Sequence, residues 1–227
     1  MPSRNRFWRE HRGTLGFLVL MFCLRSAWAD WVTVPTGSMN PTILEGDRLL
    51  VDKHAYGLRV PFTLVRLTQG ADPARGDIAV FDSPADGKSL VKRIIGVPGD
   101  SIELRGEHLV VDGRPAEYSR APQSDLKGLR PATAAWKPWV LREDAGGPVH
   151  DIMLLPQRVS DVRYGPVKVP PGMYLVLGDN RDNSADSRYI GLIPRRNFVG
   201  RARHIVVSFD PDRHGLPRAG RWWRPLT

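Results

Sequence analysis

Short runs in which apolar and polar residues alternate, each closed by turn-forming residues, recur along most of this chain. They fall at residues 48–52, 77–81, 90–95, 101–104, 108–111, 173–177 and 197–209. A period of two sends successive side chains to opposite faces of a strand, so each run can bury one face. Pro98-Gly99-Asp100 and Asp112-Gly113 supply turn chemistry between runs. The pattern predicts hairpins and a mainly β, antiparallel sheet domain. Twenty prolines and 22 glycines fit many short elements better than long helices.

Two stretches break the alternation. Residues 115–166 are dense in proline, carry Trp136 and Trp139, and read as a smaller inserted β or irregular domain with little chemistry. At the other break, residues 1–12 hold Arg4, Arg6, Arg9 and Arg12 against a single Glu10, and an uncharged apolar stretch runs from Gly13 to Leu24. A full span needs roughly 20 mostly apolar residues. Residues 13–31 approach that if Arg25 snorkels toward headgroups beside Trp28 and Trp31. The basic cluster then keeps the N-terminus cytoplasmic and puts the rest of the chain outside, as a single-pass protein of the inner (plasma) membrane. A cleavable signal peptide ending at Ala27-Trp28-Ala29 is the alternative. The expected organisation is a basic segment (1–12), a transmembrane anchor (13–31), a catalytic β-domain (32–114 and 167–210), the insert (115–166) and a tail (211–227). The tail's Arg221-Trp222-Trp223-Arg224 suits a membrane interface, a packed strand or a disordered end equally.

Length and charge narrow this picture. At 227 residues, one or two compact domains are possible. The net charge of +9 attracts nucleic acid or anionic lipid. No helix-turn-helix, zinc-finger spacing or aromatic RNA-binding strand accompanies it, so membrane phospholipid is the expected partner and nucleic acid is not. The single cysteine, Cys23, lies in the apolar stretch, which rules out an intrachain disulfide and disfavours a catalytic thiolate.

Four clusters carry candidate chemistry. Ser38 sits in Pro35-Thr36-Gly37-Ser38-Met39-Asn40-Pro41-Thr42, a rigid turn that reads either as an exposed nucleophile or as a juxtamembrane linker. Gly46-Asp47-Arg48 opens a strand and reads as scaffold. Lys92-Arg93 interrupts an otherwise apolar strand, and alternation sends the two cations to opposite faces. If one is solvated, the other is buried, and burial lowers a lysine pKa by up to ~3–5 units, enough for a neutral amine to take a serine proton. Two surface cations on an edge strand are the plain alternative. The last cluster, Gly178-Asp179-Asn180-Arg181-Asp182-Asn183-Ser184-Ala185-Asp186-Ser187-Arg188-Tyr189, follows an apolar strand and reads as a supporting loop beside a site, a calcium loop lacking its central glycine, or a solvated turn.

In this order the four clusters resemble the bacterial type I signal peptidases (leader peptidases), a serine-lysine protease family, from the anchor to about Phe209 and excluding the insert. The resemblance implies Ser38 as nucleophile, Lys92 as general base and Ser184 as the hydroxyl that orients the amine. It also implies a hydroxyl at Thr36 joining the Ser38 N–H as an oxyanion hole, Arg93 and Asp179 as supporting residues, and Asp186 with Arg188 as an ion pair holding the loop. The implied substrates are exported preproteins with small residues one and three before the cut, as in Ala-X-Ala, cleaved through an acyl-enzyme by an expected monomer. No metal or other cofactor is implied. Shallow pockets for small residues would come from Val34, Met39, Ile43 and Val91, whose other use is core packing. A histidine-assisted esterase using His54 or His108 competes, although the Gly-X-Ser-X-Gly turn is missing. A non-catalytic exported β-domain, with Lys92 in a salt bridge, is the reading from a different class.

Overall fold

The structure, a computed structural model, describes residues 11–14, 17, 29–59, 63–121, 126, 128–158 and 163–226. Sixteen strands lie among them: β1 (Ala29–Thr33), β2 (Asp47–Asp52), β3 (Ile78–Asp82), β4 (Ser89–Gly96), β5 (Ser101–Arg105), β6 (His108–Val111), β7 (Arg114–Pro115) and β8 (Glu117–Arg120). β9 (Trp139–Asp144), β10 (His150–Leu154), β11 (Arg163–Lys168), β12 (Met173–Leu177), β13 (Ile193–Pro194), β14 (Phe198–Asp210), β15 (Leu216–Pro217) and β16 (Arg224–Pro225) follow. Two one-turn helices, α1 (Pro131–Ala134) and α2 (Ser187–Ile190), complete the regular structure used below.

The main sheet runs β1-β2-β14-β3-β4-β12-β13, with β15 and β16 added to β14, and its named pairings are antiparallel. Alternation along β3 explains why it holds the centre. Ile78 and Val80 enter one apolar cluster with Val34, Met39, Ile43 and Leu49, while Ala79 and Phe81 enter another with Ile94, Tyr174 and Phe198. A third cluster, including Ile95, Ile102, Leu109 and Leu175, joins the main sheet to a four-stranded sheet ordered β11-β5-β6-β7. A three-stranded sheet, β10-β9-β8, is inserted in the chain between β7 and β11. The chain is therefore mainly antiparallel β, as the alternation predicts.

Sheet pairing divides the chain elsewhere than at 115 and 166. β5 and β6 leave the main sheet at residue 101, and β5 pairs with β11, which the chain reaches only after the whole three-stranded sheet. The small sheets therefore occupy Ser101–Lys168. Such long-range pairing leaves no local mark in the sequence. The tail is packed: β16 pairs with β14 and Leu226 joins the first core cluster, while Trp222 and Trp223 stay exposed.

Most of the anchor expectation, residues 15–16 and 18–28, lies outside the described residues. Its last three residues do not belong to a helix. Residues 29–31 are already in β1, with Trp31 opposite Leu50 of β2. Among the described residues no helix is long and apolar enough to cross a membrane.

Candidate active site

The turn between β1 and β2 carries Ser38. Its base is tied by Val34 N–H to the Asp47 carbonyl and Gly46 N–H to the Val34 carbonyl, each 2.9 Å. Met39, Ile43 and Leu44 turn inward and are buried, which leaves Ser38 half-buried at the rim and Thr36 exposed on the preceding bend. Gly37 is required here by space. A Cβ on it would lie 2.6 Å from Asn40 Nδ2 and 2.7 Å from Glu45 Oε1.

Across the site, Lys92 on β4 brings its Nζ to 2.7 Å from Ser38 Oγ and 3.0 Å from the Val91 carbonyl. The residue is 3% exposed. Burial drops the amine from its ordinary 10.5 to about 8, although the charges of Asp186 and Asp179 pull the other way. Each of those carboxylates is already held by an arginine, which leaves neither to pair directly with the ammonium. Arg93 Nε and Nη2 both lie 2.9 Å from Asp179, and Arg188 Nε lies 2.8 Å from Asp186 Oδ1. Burial works to raise the Asp179 carboxyl, but the Arg93 guanidinium holds it below the usual carboxylate range.

Neither the arrangement with one cation solvated and the other buried nor the alternative of two surface cations describes β4. Arg93 is 0% exposed, and its Nη1 also donates to the Gly76 carbonyl at 3.0 Å. Lys92 and Arg93 do alternate, but β4 is an interior strand with β3 and β12 on its two sides, and Ile94 and Ile95 enter different core clusters. Both faces are covered, so neither cation reaches water.

The loop after β12 closes the site. Asn180 N–H donates to the Ser38 carbonyl (3.1 Å) and its Nδ2 donates to the Gly37 carbonyl (2.9 Å), a two-point clasp on the Ser38 turn. Thr42 Oγ1 donates to Asp179 Oδ2, a second tie between the same segments. Asp186 caps α2 through Arg188 N–H and accepts from Gly178 N–H at 3.0 Å. A Cβ on Gly178 would collide with Ser184 Oγ and the Ser38 carbonyl, so glycine permits the close approach of loop and turn. Ser184 departs from its expected contact. Its buried Oγ has no hydrogen-bond partner among the described residues and makes no bond to Lys92.

Ser38, Lys92, Arg93, Asp179, Ser184, Asp186 and Arg188 thus converge from three segments. The four pocket candidates fall differently. Val34, Met39 and Ile43 are buried in the first core cluster and Val91 is half-buried against it, so core packing is their use in this structure. Ser38 Oγ bonds to Lys92 rather than to a histidine, and His108 is stacked edge-on to Tyr118 at 5.4 Å. No group of three His, Cys, Asp or Glu side chains placed for a cation occurs among the described residues. Asn180, Thr42 and the insert's Met153, which accepts from Arg181 N–H and donates to the Asp179 carbonyl, do not stand out in the sequence as site residues. Asn180 has a usable signal, its place directly after the supporting Asp179. Met153 has none.

A buried amine of lowered basicity against a serine hydroxyl is the arrangement needed to remove that hydroxyl's proton without histidine. Comparison with known proteins identifies the family. The family model described as "Signal peptidase, peptidase S26" matches residues 9–207. Signal peptidase I of Pseudomonas fluorescens is 34% identical over 217 residues, covering 90% of this chain and 74% of that protein. Signal peptidase I of Pseudomonas aeruginosa is 34% identical over 220 residues, with the same coverage, 90% and 74%. A crystal structure of a signal peptidase I from Enterococcus faecalis is 28% identical and covers 58% of this chain and 97% of its own, with a TM-score of 0.35.

Proposed function

We propose that this chain, which belongs to the peptidase S26 family of signal peptidases and is a serine peptidase, removes signal peptides from exported preproteins with a Ser38–Lys92 dyad. The observation that carries this reading is the 2.7 Å approach of Lys92 Nζ to Ser38 Oγ with the amine sealed from water. In the neutral state the amine's lone pair accepts the Ser38 proton as Oγ attacks the scissile carbonyl. The Val91 carbonyl, 3.0 Å away, accepts one remaining N–H. Ser184 Oγ, buried beside the Ser38 turn, is available to accept the other when the amine swings during the reaction. The tetrahedral oxygen is stabilised by Ser38 N–H and the Thr36 hydroxyl, a type of contribution worth ~3–4 kcal/mol. Lys92 then protonates the leaving amine, and the freed base activates a water to hydrolyse the acyl-enzyme.

Arg93–Asp179 and Asp186–Arg188 hold the loop that completes this geometry. Small residues before the cut suit a site whose apolar surroundings are filled by the protein itself. Val91, half-buried beside Lys92, would line its edge. Residues 13–28 would tether the enzyme to the inner membrane, N-terminus cytoplasmic and β-domain outside, where a signal peptide still in the bilayer presents its cleavage point; tethering raises the effective concentration of enzyme.

Single-turnover cleavage of a preprotein bearing an Ala-X-Ala site tests the dyad. Ser38→Ala and Lys92→Ala should each lose on the order of 10³-fold in the acylation rate. Undiminished cleavage by either variant overturns the reading.

A further inference from the structure

The catalytic loop is not held by its own sheet alone. Glu143 of β9 is 0% exposed, an acid buried in a segment whose sequence reads as chemically idle. Its two oxygens accept from Arg181 Nη1 at 2.8 Å and Nη2 at 2.6 Å, a fork-to-fork pairing. Tyr118 Oη of β8 donates to Glu143 Oε2 at 2.8 Å, and His150 Nε2 of β10 lies 3.3 Å from Oε1. Both neighbours of β9 in the three-stranded sheet therefore bring a group to its carboxylate.

Arg181 in turn is the pivot of the loop. Its N–H donates to the Met153 carbonyl (3.0 Å), and its own carbonyl accepts from Arg188 Nη2. The preceding residue, Asn180, forms a parallel bridge with Met153 and is the one that clasps the carbonyls of Gly37 and Ser38. An unbroken set of bonds leads from Glu143 through Arg181 and Asn180 to the backbone of the nucleophile. We infer that Glu143 is a positioning residue for peptide cleavage, and that the three-stranded sheet exists in part to set the loop 178–188 against the Ser38 turn through it. This rests on the dyad reading above.

A carboxylate that only stabilised the small sheet would, when lost, lower the fraction of folded enzyme. One that positions the loop changes the rate of each folded molecule, because Asp179 and Asp186, whose charges reach Lys92, move with that loop. The full chain in detergent distinguishes these. Titrating active Ser38 with a serine-reactive covalent probe counts working sites, and preprotein cleavage then gives kcat per site, KM and the pH midpoint. Glu143→Gln should lower per-site kcat about tenfold or more with KM changed less than about twofold, and should move the midpoint of the pH–rate curve. Per-site kcat and midpoint both unchanged would overturn the inference, whatever happens to the melting temperature. If E143Q is recovered unfolded, E143Q/R181Q, which leaves no uncompensated buried charge, is scored by the same two readings. Ser38→Ala run in parallel separates the hypotheses: its full activity sinks the dyad, whereas an inactive S38A beside an unaffected E143Q sinks only the role of Glu143.

Discussion

At the scale of single residues, the burial of Lys92 costs stability. Its folded pKa of about 8 lies below the ordinary 10.5, so the unfolded chain binds this proton more tightly. Folding is therefore opposed by this group at neutral pH, by about 3 kcal/mol, and the opposition fades as pH rises from about 8 to 10.5. Lys92→Met should melt at a higher temperature than the native enzyme at pH 7, with the difference gone above about pH 10.5. Melting curves that coincide at pH 7 would contradict a dry amine. The same value sets the rate profile. With Lys92 as the proposed base, only the neutral form would take the serine proton, so kcat/KM should climb through neutral pH and level off above about 8. A profile flat from about pH 6 to 10 would remove Lys92 from the role of base. Ser38 and Lys92 are legible in the sequence because each breaks its local pattern: a serine on a proline-bounded turn, a cation in an apolar strand. Glu143 breaks nothing, since its partner Arg181 stands 38 residues away and only the fold brings them together.

Among the elements, the loop after β12 and the turn before β2 form one unit joined by Asn180, Thr42 and the missing side chain of Gly178. Gly178→Ala should force them apart. A cost of about 1–3 kcal/mol is typical of overpacking, and here it should be accompanied by a loss of at least tenfold in kcat, read by urea unfolding and by cleavage assays on the same preparation. Wild-type kcat in this variant would mean that the close approach is incidental. Alternation locates β2, β3, β4, β5, β6, β12 and β14 within a few residues, because each buries at least one face. It does not report that β4 is covered on both faces, so the burial of both cations is not legible from it. Nor does it show that the turn's apolar residues, Met39 and Ile43, go into the core.

On the scale of the whole molecule, the tail reaches back to the Ser38 turn. Arg218 Nη1 donates to the Glu45 carbonyl at 2.8 Å, and Arg221 Nη2 to the Thr42 carbonyl at 3.1 Å while pairing with the fully buried Asp47. Breaking a buried pair by removing one partner costs about 3–5 kcal/mol, because the other charge is stranded. Arg221→Ala should therefore lower the stability read by urea unfolding by that amount, far beyond what an exposed arginine such as Arg224 would cost. Equal, small losses for the two would show the tail to be dispensable. The tail's Arg-Trp pattern suits a membrane surface, a packed strand and a loose end alike, so its docking is invisible in the sequence.

Asp47 meets its counter-ion 174 residues later in the chain. A chain lacking Arg221 would bury that carboxylate without its guanidinium. The residues between Asp47 and Arg221 include β3 to β15, so the pair ties the chain around the Ser38 turn to the far end of the folded β-structure.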